Sequence, residues 1–160
     1  MNISVNAAPV AVDDTDTITA GASAATGSVT TNDTDSDDNT SDLKVRGVGT
    51  GAEGSSLANK NVGSALSGTY GTFTLNQDGS YSYDVTGNAA TIALADGATA
   101  TDTFSYKVRD DETNAGSKAI DIGTITFTVT GINETVTATD DNITLSTTDG
   151  STTVANGTSD

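Results

Sequence analysis

The tightest constraint on this chain is a strict alternation of apolar and polar residues with a period of two. In Asp102-Thr-Phe-Ser-Tyr-Lys-Val-Arg109, Phe104, Tyr106 and Val108 fall on one face, and Thr103, Ser105, Lys107 and Arg109 on the other. Gly123 to Ile132 repeats the pattern, with Ile125, Phe127 and Val129 facing in and Thr124, Thr126, Thr128 and Thr130 facing out. Successive side chains of a β-strand point to opposite faces, so this period defines half-buried strands. Between Gly71 and Val85 the chain reads as a hairpin. Phe73 and Leu75 lead into Asn76-Gln77-Asp78-Gly79, and Tyr81, Tyr83 and Val85 return; Gly79 suits the left-handed position of such a loop. Weaker strands are read at Val10 to Ile18, Ala25 to Thr31 and Leu43 to Val48. Gly47 to Thr69 reads as a long Gly/Ser/Asn-rich loop with a short strand near Val62 to Leu66. No stretch carries a helical period. The fold class predicted is all-β, an antiparallel sandwich of about seven strands.

Composition matters here because it argues the other way. Apolar residues make up 34% of the chain and aromatics 4%, with 22 acidic against 6 basic side chains and a net charge of −16. Taken alone, that balance describes a disordered chain; the alternation overrides it. Thr, with 31 copies, favours strands through its branched Cβ, while Gly and Ser serve turns. All three Phe and all four Tyr lie between Tyr70 and Phe127, so four strands are expected to build most of the core. There is no His and no Cys, which removes imidazole bases, thiol nucleophiles, disulfides and His- or Cys-bound metals. The negative surface repels phosphate backbones, so nucleic acid and anionic membranes are poor partners. No apolar run reaches the roughly 20 residues that span a bilayer, and no signal peptide follows Met1. An acidic, Thr-rich, cysteine-free chain reads as extracellular and bacterial, and Met1 as an expression start on a fragment of something longer.

An internal repeat sets the expected organisation. Asn6-Ala-Ala-Pro-Val-Ala-Val-Asp13-Asp14 corresponds to Asn133-Glu-Thr-Val-Thr-Ala-Thr-Asp140-Asp141, the Asn preceding an Asp pair by the same interval in both. This predicts a linker over 1–9, one complete sandwich repeat over 10–132, and over 133–160 a second linker with the truncated start of a further repeat. The last segment is expected to be flexible because its sheet partners are absent.

In an Ig-like sandwich loops alternate between the two ends, which places the N-terminal linker, the loop Asn32 to Asn39, the turn at Asp78 and the loop opening with Asp110-Asp111-Glu112 at one pole. Asn6, Asp13, Asp14, Asp33, Asp35, Asp37, Asp110 and Asp111 are then brought together. Convergent carboxylates repel one another and raise one another's pKa. No basic cluster offsets them, and a hard cation with 6–8 oxygen ligands does so naturally, Ca²⁺ tolerating irregular geometry better than Mg²⁺. Asn133 and Asp140 leave at the opposite pole and form half of a second junction site, so calcium should move Asp33, Asp35 and Asp110 before Asp140. The alternative is a solvated acidic loop. The Asp33-x-Asp35-x-Asp37 spacing is not an EF-hand: Asp38 stands where Gly is needed and Lys44 where Glu is needed, and helical flanks are missing.

These motifs resemble the VCBS and bacterial cadherin-like repeats of giant surface adhesins. The resemblance rests on Asn6 to Asp14 as linker, Asn32-Asp-Thr-Asp35, Gly68-Thr-Tyr-Gly-Thr-Phe-Thr-Leu75, Asp78-Gly-Ser-Tyr-Ser-Tyr83, Asp102 to Asp110, and Thr128-Val-Thr-Gly-Ile-Asn133. It covers about residues 6–135 and implies tandem sandwiches in a secreted adhesin, with Ca²⁺ stiffening the junctions between neighbouring repeats. Two departures stand out. Ala7 replaces the linker Asp, removing a ligand, and at the second linker Val136 replaces the Pro, reducing stiffness.

Three functions compete. The first is a structural or adhesive repeat, monomeric as a fragment, whose partners are its neighbours. The second is a calcium-dependent module binding a surface glycan or protein. Tyr81, Tyr83 and Tyr106 read as core residues and leave Tyr70 as the remaining aromatic platform for a sugar. The third is a glycoside hydrolase using paired carboxylates; with no Trp and internal aromatics it is disfavoured, and the chain is read as no enzyme. Asp102 reads as the start of a strand, Asp121 as solvent-facing, and Lys44, Arg46, Lys107 and Arg109 as outward-facing.

Overall fold

The computed structural model describes residues 6–52, 57–110 and 119–133. Eight strands run in chain order as β1 (Asp14–Thr19), β2 (Ala25–Ser28), β3 (Lys44–Thr50), β4 (Leu66–Ser67), β5 (Thr72–Leu75), β6 (Ser80–Asp84), β7 (Thr99–Arg109) and β8 (Ile120–Thr130). They form two four-stranded sheets, ordered β1-β8-β7-β3 and β2-β6-β5-β4. The eighth strand is β4, which coincides with the short strand expected near Val62 to Leu66 only at Leu66. Two local differences from the sequence reading appear. β1 pairs with β8 in parallel, Asp14 opposite Ile125 through Thr19 opposite Thr130, because both strands start at the same pole. The described residues also include two short helical turns, a 3-10 turn at Thr40–Asp42 and α1 (Ala89–Ile92), where Asn88 Oδ1 accepts from the Ala90 and Thr91 amides and supplies the cap.

The period of two sets the interior. Phe104, Tyr106 and Val108 of β7 and Ile125, Phe127 and Val129 of β8 are all buried, meeting Phe73, Leu75 and Tyr83 from the second sheet. Tyr83 stacks on Phe127 at 4.1 Å between centroids and 10° between planes, and Phe73 on Phe104 at 4.6 Å. Such pairs add roughly 0.5–1.5 kcal/mol to the burial of their area. A chain poor in aromatics thus concentrates them where the two sheets touch.

The outer face of β7 departs from expectation. Ser105 and Lys107, expected to face solvent, are buried. The segment after β3 folds back beside them: Val48 N–H donates to Lys60 O, Ser105 Oγ to Gly51 O, and Lys107 Nζ to the Asn59 side-chain oxygen at 3.1 Å. Gly47 permits this approach, since a Cβ there would lie 2.2 Å from the Ala58 carbonyl oxygen. Period alone identifies which face a residue shares, but not whether a later loop covers it.

Strand directions define two poles. The entering segment, the β2–β3 loop, the β5–β6 turn and the end of β7 share one, held by Val10 paired with Thr34, Val29 N–H on Gly79 O, and Val45 N–H on Gln77 O. β8 ends at the other pole against the turn at 94–98, where Gly131 N–H donates to Ala98 O and Gly97 N–H to Gly131 O.

Candidate metal centre at the acidic pole

The β2–β3 loop supplies the less buried part of the site. Asp35, Asp37 and Asp38 bring carboxylate oxygens within 4.8 Å of one another. A short-range turn shapes the group, with the Asp37 amide donating to Asp35 Oδ1 at 3.2 Å. The entering segment closes over it: the Ala7 N–H reaches both Asp37 oxygens at 3.0 and 3.2 Å. The preceding residue, Asn6, donates its side-chain amide to Asp110 Oδ2 at 2.5 Å. Consecutive residues of one segment therefore hold Asp37 and Asp110, which ties the loop to the end of β7.

Two oxygens test whether a cation fits. Asp110 is fully buried, and its Oδ1 has no hydrogen-bond partner among the described residues; Asp35 is half-buried, and its shielded Oδ2 has none there either. A buried carboxylate oxygen left without a donor costs about 1–3 kcal/mol or more for a charged group. The neighbouring ligand-capable atoms are carboxylate and amide oxygens. An oxygen-only set in which two buried oxygens lack donors among the described residues matches a hard divalent cation. Asp35, Asp37 and Asp38 are grouped closely enough to hold one together, and Asp110 with Asn6 adds a second set of oxygens at the same pole.

The other candidates behave differently. Asp33, only 1% exposed, turns inward: its Oδ1 accepts from the Val12 amide at 2.8 Å and lies 3.2 Å from the Tyr106 hydroxyl. Asp14, the first residue of β1, comes within 3.2 Å of the same hydroxyl. The carbonyl oxygens of Val12 and Val29 lie 3.1 and 3.3 Å from it. One hydroxyl proton faces four acceptors, so protons on the carboxyls are favoured. Burial, the charge of Asp33 and the nearby Asp13 push the Asp14 carboxyl up to about 6 against the bonds that lower it, and burial raises Asp33. Burial and the two carboxylates push the Tyr106 hydroxyl up in turn. Asp13 is exposed and accepts from the Thr124 amide at 2.8 Å. Asp121, expected to face solvent, is half-buried and accepts from the Ala11 amide at 2.9 Å. These four carboxylates fasten the entering strand rather than joining the Asp35-Asp37-Asp38 cluster. Asn133 lies at the opposite pole, while Asp111 and Asp140 are outside the described residues, as is the expected flexibility beyond Asn133.

Sequence reasoning missed three residues. Asp38 completes the cluster and follows Asp37 directly. Asp102 lies inside β7 rather than at its start, buried, accepting from the amides of Thr69, Tyr70 and Gly71 at 2.9, 2.8 and 3.2 Å and from the Tyr83 hydroxyl at 2.6 Å. Asp16 accepts from the Tyr81 hydroxyl at 2.7 Å. A signal for Asp102 was available: it shares the parity of Phe104, Tyr106 and Val108, as does Asp110 just beyond β7, so a carboxylate flanks that buried run on each side.

Comparison with known proteins agrees with this architecture. Residues 6–131 match the family model of the bacterial cadherin-like domain. One similar curated protein is the calcium-binding lectin RapA2 of Rhizobium johnstonii (strain DSM 114642 / LMG 32736 / 3841), 38% identical over 69 residues. The match covers 43% of this chain and 27% of that protein, so the chain spans well under half of its relative. With two four-stranded sheets and a family match over most of its length, the chain belongs to the bacterial cadherin-like domain family.

Proposed function

We propose that this domain is one repeat of a large extracellular bacterial adhesin, with Ca²⁺ bound at the acidic pole stiffening the junction to its neighbour. The observation that carries the reading is the buried Asp110 Oδ1, which has no donor among the described residues; Asn6 holds Asp110, and the following residue, Ala7, is held by Asp37 of the Asp35-Asp37-Asp38 group. The calcium-binding name of the relative supports the same ion. The cation's part is to neutralise these carboxylates; the protein's part is to hold Asn6 and Ala7 against them, which fixes the direction in which the chain enters. Family and relative are adhesion-type modules, in agreement with a binding rather than an enzymatic role.

A calcium titration followed by amide chemical shifts tests this. Asp35, Asp37, Asp38, Asp110 and Asn6 should shift with saturation, while Asp102, fully bonded in the interior, and Asp78 in its exposed turn should stay still. Uniform, non-saturating drift of all acidic residues would mean that the ion is only screening charge.

A second reading, direct glycan binding, gains support from the lectin relative and from an open groove of about 420 Å³ lined by Thr50, Ser67, Thr69, Thr101 and Thr103. Against it, Tyr83 and Tyr106 are buried, and Tyr70 and Tyr81 pack against the core, so none is a free stacking platform. A glycan array with calcium present distinguishes the two readings.

A further inference from the structure

The outer face of the sheet formed by β1, β8 and β7 carries a lattice that neither the acidic pole nor the core explains. The pairing of β1 with β8 places Thr15, Thr17 and Thr19 opposite Thr126, Thr128 and Thr130. The pairing of β8 with β7 places those last three opposite Thr103, Thr101 and Thr99. Three rows of three threonines therefore lie on adjacent, hydrogen-bonded strands. Alternating with them, Ile18, Asp102, Phe104, Phe127 and Val129 are buried, whereas every Thr of the grid is half-exposed or exposed. Neighbouring columns touch through their hydroxyls, Thr103 Oγ1 and Thr126 Oγ1 lying 3.1 Å apart.

A high threonine content does not by itself produce this grid. On the outer face of the second sheet, β6 carries Ser80, Ser82 and Asp84 between its neighbours. The grid also bears no charge, in a chain with 22 acidic residues. Its dimensions follow from β geometry: strands lie about 4.8 Å apart, and alternate residues about 6.7 Å apart along each strand. Every point offers a hydroxyl that both donates and accepts, beside a methyl, on a side chain whose branched Cβ restricts χ1.

That chemistry excludes most partners. The face has no cation for a polyanion, no aromatic plane on which a sugar could stack, and no Trp, Tyr or Arg anchor for a protein. A neutral, regular array of hydroxyls and methyls fits a partner that is itself a neutral, regular array of hydrogen-bonding oxygens. Ice is such an array, and the oxygen spacings of its prism faces are close to both dimensions of the grid. We propose that this sheet face binds the surface of ice crystals, its hydroxyls taking positions in the oxygen lattice and its methyls filling the hollows between them. Side chains already held in few rotamers lose little freedom on docking. The inference rests on neither calcium nor the tandem-repeat reading.

The test is slow growth of ice from a solution of the full chain, with the protein then measured in the ice and in the remaining liquid. The wild type should be enriched in the ice relative to an acidic protein of similar size that lacks such a face, and should slow the recrystallisation of fine-grained ice. Thr128→Lys at the centre of the grid and Thr17→Lys at its exposed edge should each abolish both effects. Thr74→Lys, on the outer face of the second sheet, should leave both intact. Melting curves show whether each variant folds, and the two grid positions lie on different strands, so one misfolded variant leaves the other to decide. Exclusion of the wild type from ice would overturn the proposal. So would enrichment that survives both grid substitutions, or that is lost equally with Thr74→Lys. Exclusion from ice together with retention on crystalline cellulose would overturn ice in favour of a neutral polysaccharide lattice.

Discussion

At the residue scale, the carboxylates of this protein perform two different jobs. Asp102 gathers three main-chain amides and one hydroxyl around a single buried side chain, and Gly68 makes room for it, since a Cβ there would lie 2.2 Å from Asp102 Oδ2. Burial and Asp102 together push the Tyr83 hydroxyl up, so the phenol stays a donor. Asp102→Ala would leave four donors without their partner, those of Gly71 and Tyr83 buried, and should cost about 3 kcal/mol or more, read as a lower urea midpoint with an unchanged slope. Asp16→Ala, which releases the Tyr81 hydroxyl and the exposed Thr17 amide, should cost less. Asp14 and Asp33 carry the opposite sign. Each has a folded-state pKa raised above its ordinary value, Asp14 to about 6. In the pH window between that ordinary value and the raised one the folded state binds more protons than the unfolded chain, so this contribution to stability is full at low pH and is lost as pH rises through about 6. In EDTA, melting at pH 5 should exceed melting at pH 7, and Asp14→Asn should raise the pH 7 value and flatten the difference. An Asp14→Asn protein with the slope of the wild type would remove Asp14 from this account.

At the element scale, β7 and β8 show why some of the fold was legible and some was not. Their alternation is local, so Phe104, Tyr106, Val108, Ile125, Phe127 and Val129 could be assigned to the interior from sequence. The Asn-Gln-Asp-Gly turn was legible for the same reason, and Gly79 does adopt a φ of +88°. The burial of Ser105 and Lys107 depends on a segment some fifty residues away that has no period of its own, and nothing near them announces it. The acidic site divides along the same line. That Asp35, Asp37 and Asp110 meet at one pole follows from strand alternation. That Asp33 and Asp14 turn inward follows from the placement of one hydroxyl, which period does not reveal. Gly123 offers an element-scale test. It lies opposite Tyr106 across the β7–β8 ladder, and a Cβ there would approach Tyr106 Cζ and the hydroxyl oxygen to 2.7 Å. Gly123→Ala should therefore destabilise the fold by about 1–3 kcal/mol, the usual range for overpacking, although alanine favours a strand more than glycine does. Displacing the ring should also disturb the Asp14 and Asp33 amide shifts. A neutral or stabilising Gly123→Ala would show that the ring has room to move.

At the scale of the whole molecule, the net charge of −16 is a repulsive field that the fold tolerates rather than uses. The strands are rich in Thr, so much of the acid is carried by turns, and the topology delivers several of those turns to one pole. Two kinds of cation relieve that field in different ways. Monovalent salt screens exposed charges over roughly 10 Å at 0.1 M and does so gradually, with no saturation point. A bound divalent ion acts by mass action on the folded state, contributing about 2.7 kcal/mol at a hundredfold excess over its dissociation constant. In EDTA, added NaCl should therefore raise the melting temperature smoothly and modestly. Millimolar Ca²⁺ should raise it further, with a midpoint and a plateau, even in NaCl at which the salt response has levelled off, and Mg²⁺ should do less because it demands near-octahedral geometry. Asp110→Asn should abolish most of the Ca²⁺ increment and leave the NaCl response intact, since it removes one buried ligand and only one charge in the excess. If Ca²⁺ and NaCl prove interchangeable at equal ionic strength, the acidic pole is a screened surface and the buried Asp110 oxygen needs another partner.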